Sequence, residues 1–282
     1  MQYKVSIKRK CYLLSVLLMT VWLTGCVQEE FESTPSPAGN GIRFTLTVPD
    51  VNLPSVSSRT MTGTGTAKKE DEIETVDILV FDMSKTPAVF LEWVSATGVT
   101  QDLADNSTVS FSAVLSPTTA STCIVVVANK ELDNIVSGFT KGATTKVEAM
   151  EKMLHTQTGK WLADGSTTGG YTRIPMYGEK VISKITPSMD PITGINMKRM
   201  LARIDIRNNS ATSNFTVEEV YLANYNTTGY IAPAWNTNGQ VTEPAPDTPV
   251  LPTGSGKMTE EGNAILYSVN GNTPYDGEIY TF

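Results

Sequence analysis

The sequence predicts a mainly β protein built as two tandem β-domains, with one helix inserted in the first. Several segments alternate apolar and polar side chains with the period of two that is typical of half-buried strands. Two further segments are continuous apolar runs of strand length, which is the pattern of strands buried on both faces. A short polar stretch, residues 208–214, separates the two groups of predicted strands and is the expected domain boundary.

The first 25 residues have the organisation of a secretory signal peptide. Basic residues cluster within the first ten positions, and residues 12–22 carry no charge. This apolar run is shorter than the roughly 20 residues that a membrane-spanning helix needs. It ends at Leu23-Thr24-Gly25-Cys26, which resembles the lipobox of bacterial lipoproteins, in which the cysteine becomes the acylated N-terminus. We therefore expect Cys26 to carry a lipid with several acyl chains that attaches the protein stably to a membrane. The alternative is a plain secretory signal with an incidental cysteine.

The mature chain is predicted to be acidic and free of disulfides. Residues 26–40, which are acidic and then rich in Pro and Ser, are expected to form an extended tether. Signal removal takes away four of 22 basic residues and none of 29 acidic ones, so the net charge falls from −7 to −11. This balance disfavours nucleic acid as a partner, because phosphate binding needs clustered Lys and Arg. Cys11 leaves with the signal and Cys26 is acylated, so Cys123 cannot pair within the chain and is expected to be a core residue.

The first predicted domain, residues 41–210, opens with its cleanest strand. Ile42, Phe44, Leu46 and Val48 alternate with polar residues, so one face of this strand is wholly apolar. Residues 50–71, which contain Arg59, are expected to form an exposed loop because they are rich in Ser, Thr and Gly and follow no sustained period. Further strands are predicted at residues 72–82, 89–95, 107–115, 123–128, 181–185 and 200–207. A capping box, Thr145-x-x-Glu148, predicts the start of the single helix.

The second predicted domain, residues 211–282, contains fewer strands. They are expected at residues 215–223, 229–232, 264–269 and 278–282. Four or five strands are few for a closed sandwich, so we expect this domain to be incomplete and its C-terminal strands to lie beyond the sequence.

The sequence offers little that could support catalysis or cofactor binding. His155 is the only histidine, and it is expected at the end of the helix, where the helix dipole favours an imidazolium. One histidine and one free cysteine form no recognisable catalytic triad or zinc site. The acidic run Glu70-Asp71-Glu72 shows no recognisable acid/base pair. We therefore expect no enzymatic activity, no cofactor and no metal. Tyr230 and Trp235 could form a platform on which sugars stack, although such aromatics more often fill cores.

Several motifs, taken in this order, resemble those of type V pilus fimbrillins, the fimbrial subunit and anchor lipoproteins of certain Gram-negative bacteria. They are the lipobox, the Ser58-Arg59-Thr60 loop before the 72–82 strand, Val126-Val127-Ala128-Asn129-Lys130, Ile174-Pro175-Met176-Tyr177-Gly178-Glu179, Leu201-Ala202-Arg203-Ile204-Asp205-Ile206 and Val220-Tyr221-Leu222-Ala223-Asn224. The resemblance implies two tandem transthyretin-like β-sandwich domains in a surface-exposed lipoprotein of the outer membrane, where it contributes to adhesion. It also implies that neighbouring subunits assemble by strand exchange after an arginine-specific protease cuts between the first two strands.

Carried onto this sequence, the resemblance makes Arg59 the cleaved residue and residues 42–48 the displaced strand. The alternative is that Arg59 is only an exposed loop arginine, because anchor members of the family keep their first strand. The sequence does not choose between a stalk, an anchor and a tip role. Two other classes remain open: a glycan-binding surface lipoprotein that uses Tyr230 and Trp235, and an esterase or glycosidase lipoprotein, which would need a buried carboxylate pair.

Overall fold

The computed structural model describes nine stretches of the chain. They are residues 42–48, 70–101, 108–157, 159–161, 172–206, 214–242, 250–253, 264–269 and 275–282. All of them belong to one compact unit, Asn40–Phe282. The predicted lipidation site Cys26 and the predicted cleavage site Arg59 lie outside the described residues, as do the signal peptide and the tether.

Strands dominate the described residues, which confirms the prediction of a mainly β fold. In chain order the strands are β1 (Ile42–Thr47), β2 (Val76–Asp82), β3 (Val89–Ser95), β4 (Thr97–Gln101), β5 (Thr108–Ala113), β6 (Thr122–Ala128), β7 (Leu154–Thr156), β8 (Met176–Ile182), β9 (Ile192–Asn196), β10 (Lys198–Arg199), β11 (Ala202–Ile206), β12 (Glu219–Leu222), β13 (Thr228–Tyr230), β14 (Ile265–Ser268) and β15 (Tyr275–Thr281). The helices of the described part are α1 (Asp133–Val136) and α2 (Lys146–Lys152).

Two sheets pack face to face to form a β-sandwich. The first sheet has the strand order β4-β5-β1-β9, and the second has the order β10-β8-β6-β2-β3. All pairs of neighbouring strands in the second sheet are antiparallel, whereas the first sheet contains one parallel pair, β1 and β9. A single apolar cluster fills the space between the sheets. Its members include Phe44, Leu46, Val109 and Phe111 from the first sheet and Ile78, Val80, Ile124 and Val126 from the second.

The second sheet is covered on its other face as well. Leu79 and Val125 point away from the first sheet and pack in a second apolar cluster with Met150 and Met153, at the end of α2. Every residue of β6 is buried, and only the last residue of β2 is not. This double coverage explains why both strands are continuous apolar runs, and it confirms the prediction that they are buried on both faces.

The capping box predicted before the helix is present. The Thr145 hydroxyl accepts a hydrogen bond from the Glu148 backbone N–H at 3.2 Å, and the Glu148 carboxylate accepts one from the Thr145 backbone N–H at 2.7 Å. These two bonds satisfy backbone donors that have no partner within the helix, so they fix where α2 begins. The four-residue helix α1 was not predicted. Neither helix of the described part is long and apolar enough to cross a membrane.

The remaining strands form three small two-stranded sheets, in which β11 pairs with β15, β12 with β14, and β13 with β7. β7 lies in the first predicted domain and β13 in the second, so this pairing brings the two regions into contact. The boundary between residues 210 and 211 stays a prediction.

Candidate functional site

β1 occupies an interior position in the first sheet. It runs antiparallel to β5, with Ile42 opposite Ala113 and Thr47 opposite Thr108. On its other edge it runs parallel to β9, with Phe44 opposite Ile192. Because both edges of β1 are paired, its removal would leave a slot one strand wide with unpaired backbone groups on both sides.

The apolar face of β1 points into the core between the sheets. Ile42, Phe44, Leu46 and Val48 are each at most 4% exposed, whereas Thr47 on the opposite face is exposed. The predicted alternation is therefore confirmed. Removal of β1 would therefore take four apolar side chains out of the core and also leave the slot in the sheet.

β9 forms one wall of this slot, and its close approach to the second sheet depends on a glycine. Met197 directly follows β9, and its backbone N–H donates to the Thr47 carbonyl at 2.9 Å. Gly178 of β8 faces this region. A Cβ atom at Gly178 would lie 2.7 Å from the Met197 sulfur and 2.8 Å from Ile195 Cγ2, which is closer than atoms can approach. Glycine at this position lets β9 lie tightly on β8.

A short acidic segment, Glu70–Ile73, contacts β4, which pairs with the slot wall β5, and β10, which follows the slot wall β9 in the chain. We call it the bridging segment. On one side it is bound by Gln101, the last residue of β4. The Gln101 amide donates to the Asp71 carbonyl at 2.7 Å, and its oxygen accepts from the Ile73 N–H at 3.0 Å. On the other side Arg199 of β10 forms an ion pair with the Asp71 carboxylate, and its Nε donates to the Glu70 carbonyl at 3.4 Å.

The carboxylate of Glu70 is buried and fully engaged. Arg203 Nη1 lies 2.8 and 3.0 Å from the two carboxylate oxygens, and the Tyr280 hydroxyl donates to one of them at 2.6 Å. Glu70 is 6% exposed and Tyr280 is also buried. A buried charge is tolerated only when it is paired and hydrogen-bonded, so these partners fix the position of Glu70.

The residues that follow the bridging segment are held by a second set of contacts. Arg173 Nη2 lies 3.3 Å from the Glu72 carboxylate, and Arg173 Nη1 lies 2.5 Å from that of Glu74. The Asn129 side chain donates to the Glu72 carbonyl at 2.8 Å and accepts from the Glu74 N–H at 3.0 Å. Asn129 has a φ of 58°, a left-handed conformation that asparagine adopts more readily than most residues.

The sequence did not predict this convergence. The acidic run was expected to form no recognisable acid/base pair, and nothing in the sequence indicated that Arg199 and Arg203 bind it from positions 128 to 133 residues further along the chain. The one available hint is that Asn129 and Arg203 each belong to a motif that carries the resemblance to fimbrillins. The motifs that look unrelated in the sequence therefore meet at one place in the structure.

A comparison with protein-family models assigns this chain. The model described as major fimbrial subunit protein (FimA) matches residues 42–209, which is more than half of the chain. The chain belongs to the FimA family. The matched region contains β1, β9 and the bridging segment, and a fimbrial subunit is a structural protein of the cell surface.

Two solved structures from Parabacteroides distasonis are similar to this FimA-family chain. One is a candidate cell adhesion protein with 18% identity and a TM-score of 0.44; the match covers 86% of this chain and 70% of that one. The other is a fimbrial assembly protein with 12% identity and a TM-score of 0.41, and here the match covers 84% of this chain and 88% of that one. A search of curated protein sequences finds no match.

The two aromatics considered for sugar binding meet in this FimA-family protein, but they do not form a flat platform. The rings of Tyr230 and Trp235 lie 4.8 Å apart at an angle of 78°, in an edge-to-face arrangement. Trp235 packs partly against the second apolar cluster. Tyr230 lines a cleft of about 400 Å³, whose walls are mainly the apolar residues of segments 200–202, 231–234 and 250–251.

His155 and Cys123 do not form a reactive pair in this FimA-family protein. His155 lies in β7 and not at the helix end, so the predicted stabilisation by the helix dipole is wrong. Its ring packs on Trp161 at 5.0 Å, and burial together with the charge of Lys130 lowers its pKa to about 4. Cys123 is buried as predicted, and burial raises the pKa of its thiol to about 12. Among the described residues no group of three His, Cys, Asp or Glu side chains could hold a metal ion.

Proposed function

We propose that this chain is a structural subunit or anchor of a type V pilus, exported as an outer-membrane lipoprotein and assembled by protease-triggered strand exchange. The observation that carries this proposal is the position of β1. It is an interior strand with four buried apolar side chains. The 21 residues that separate Val48 from the bridging segment at Glu70, residues 49–69, lie outside the described part. A neighbouring subunit could supply an alternating strand to the slot that β1 leaves.

The energetics favour refilling of an emptied slot. Burial of one large apolar side chain stabilises a fold by about 1.5–3 kcal/mol, so the four buried side chains of β1 represent roughly 6–12 kcal/mol. The strand edges left unpaired also expose backbone N–H and C=O groups, which can form hydrogen bonds with another strand. Loss of β1 would therefore leave an emptied slot that a strand with the same alternation could refill.

Cleavage at Arg59 would separate β1 from the rest of the chain without disturbing the second sheet. Arg59 lies in sequence between Val48, at the end of β1, and Glu70 in the bridging segment. Glu70 is held by Arg203 and Tyr280, so the chain downstream of the cut would stay attached to the sandwich.

The lipid on Cys26 would then have one of two roles. If Arg59 is cut, Cys26 leaves together with β1, so the lipid serves export and delivery and the subunit is held by its neighbours. If Arg59 is spared, the lipid remains and the same protein anchors the base of a fimbrium.

Substitution of Arg59 tests this function. Arg59→Lys keeps the positive charge but removes the residue that an arginine-specific protease recognises, and Arg59→Ala removes both. Both variants should give a full-length lipidated monomer, whereas the wild type should give ladders of oligomers on gels of unboiled samples. Arg173→Lys is the matched control, because it makes the same change at a different arginine, one that is paired with Glu72 and Glu74. This variant should polymerise normally. Normal ladders from both Arg59 variants would contradict the proposed cleavage.

A further inference from the structure

Once β1 is gone, β9 has no paired neighbour in the described part of the first sheet, and its packing on β8 and its chain link to β10 hold it in place. Within the described residues, β1 is the only strand that pairs with β9 in this sheet. On the opposite side of the slot, β5 keeps its partner β4. Ile192 and Ile195 keep β9 in the apolar core, but apolar packing is non-directional and does not by itself fix the spacing of two strand edges.

The bridging segment links β4 to β10 by directional bonds, and each of these strands adjoins one wall of the slot, β4 by pairing with β5 and β10 by following β9 in the chain. Gln101, which binds the segment from one side, is opposite Val109 of β5, and Val109 is opposite Leu46 of β1. Arg199, which binds it from the other side, lies two residues after Met197, whose N–H donates to Thr47. Both attachments therefore lie near the same end of β1, and the bridging segment joins the surroundings of the two walls at that end.

We propose that the bridging segment holds the slot at the width of one strand while β1 is absent, with Gln101 and Arg199 as its two positioning residues. This inference rests on the proposed strand exchange. Neither Gln101 nor Arg199 belongs to β1 or to the apolar cluster between the sheets. Neither would therefore contact the apolar side chains that an incoming strand places in the core. Glu70 fixes the position of the segment through its contacts with Arg203 and Tyr280, and these contacts do not involve β1.

The test measures uptake of a strand by the processed protein. Purified mature protein is cut with an arginine-specific protease, and the protease and the released N-terminal piece are then removed, because the probe itself contains Arg43. The processed protein is titrated into a limiting amount of a fluorescent peptide with the sequence of residues 42–48. Binding is followed by fluorescence anisotropy for the wild type, Arg199→Met, Gln101→Leu and the control Glu74→Gln. The side chain of Glu74 is 58% exposed and pairs with Arg173, so its substitution leaves the bridging segment attached.

The expected result is that Arg199→Met and Gln101→Leu weaken peptide binding at least tenfold, whereas Glu74→Gln changes it less than twofold. Arg199→Lys, which keeps the charge, should lie in between. Thermal melting of the uncut variants shows whether they fold, since β1 then supports β9 directly. Equal peptide affinity in all variants would overturn the role of the bridging segment and leave strand exchange standing. No binding by the processed wild type would overturn strand exchange itself, and the bridging role with it.

Discussion

Phe44 of β1 and Phe111 of β5 stack across neighbouring strands, with ring centroids 5.0 Å apart and planes inclined by 6°. The two residues are directly opposite each other in the ladder, and both are buried. Cross-strand aromatic pairs contribute to the stability of a sheet beyond the area that they bury. This pair joins the proposed displaced strand to β5, the wall of the slot with which it runs antiparallel.

Phe44→Ala should therefore lower the free energy of unfolding of the uncut protein by about 3–5 kcal/mol, because it leaves a cavity in the core. Chemical denaturation followed by circular dichroism measures this change. Thr47→Ala on the exposed face of the same strand is the control and should change stability by less than about 0.5 kcal/mol. Equal stability of the two variants would contradict the burial of the β1 face.

Gly178→Ala should destabilise the protein by about 1–3 kcal/mol, because the added methyl group overlaps Met197 and Ile195 and must push β9 away from β8. Gly138→Ala is a suitable comparison, since a Cβ there has a single neighbour at 3.6 Å, an ordinary contact. Differential scanning calorimetry of both variants checks this. A melting temperature for Gly178→Ala equal to that of Gly138→Ala would show that β9 is not packed as tightly as described.

The strands whose pattern depends on burial could be predicted from the sequence. β2 and β6 are apolar on both faces because a sheet covers one side and α2 and its flanking residues cover the other, and β1 alternates because only one of its faces is buried. The start of α2 was predictable for a different reason, since a capping box is a local interaction over four residues.

The partners of strands and charges could not be predicted in the same way. The alternation in residues 200–207 predicted a strand, but period alone does not say that β11 pairs with β15 about 75 residues later. In β11 the apolar Ile204 is 37% exposed, whereas Arg203 is turned inward to Glu70. Such ion pairs arise from the folded topology, and the sequence shows only that both charges exist.

Cys123 should be unreactive in the folded protein, because burial raises the pKa of its thiol to about 12 and little thiolate forms at neutral pH. Iodoacetamide treatment followed by peptide mass spectrometry should find no modification of Cys123 under native conditions and complete modification in denaturant. Modification within minutes in the native protein would show that this part of the core opens readily.

His155 should make the protein sensitive to acid. Its pKa in the folded protein is about 4, below the usual 6.5, so the unfolded chain binds a proton more readily and stability is lost as the pH falls from 6.5 towards 4. We expect about 1–2 kcal/mol from this residue, since solvent partly screens the ring. Urea denaturation at pH 7 and pH 4.5 should show a smaller loss for His155→Phe than for the wild type. An equal loss in both proteins would assign the acid sensitivity to the carboxylates alone.

The N-terminus of the subunit within assembled fimbriae tests strand exchange most directly. Fimbriae are sheared from cells, denatured, and the released chain is analysed by N-terminal sequencing and intact mass spectrometry. Cleavage after Arg59 predicts that the subunit begins at Thr60 and lacks residues 42–48 and the lipid on Cys26. Polymerised subunits that still carried an intact β1, continuous with the rest of the chain, would contradict assembly by replacement of that strand.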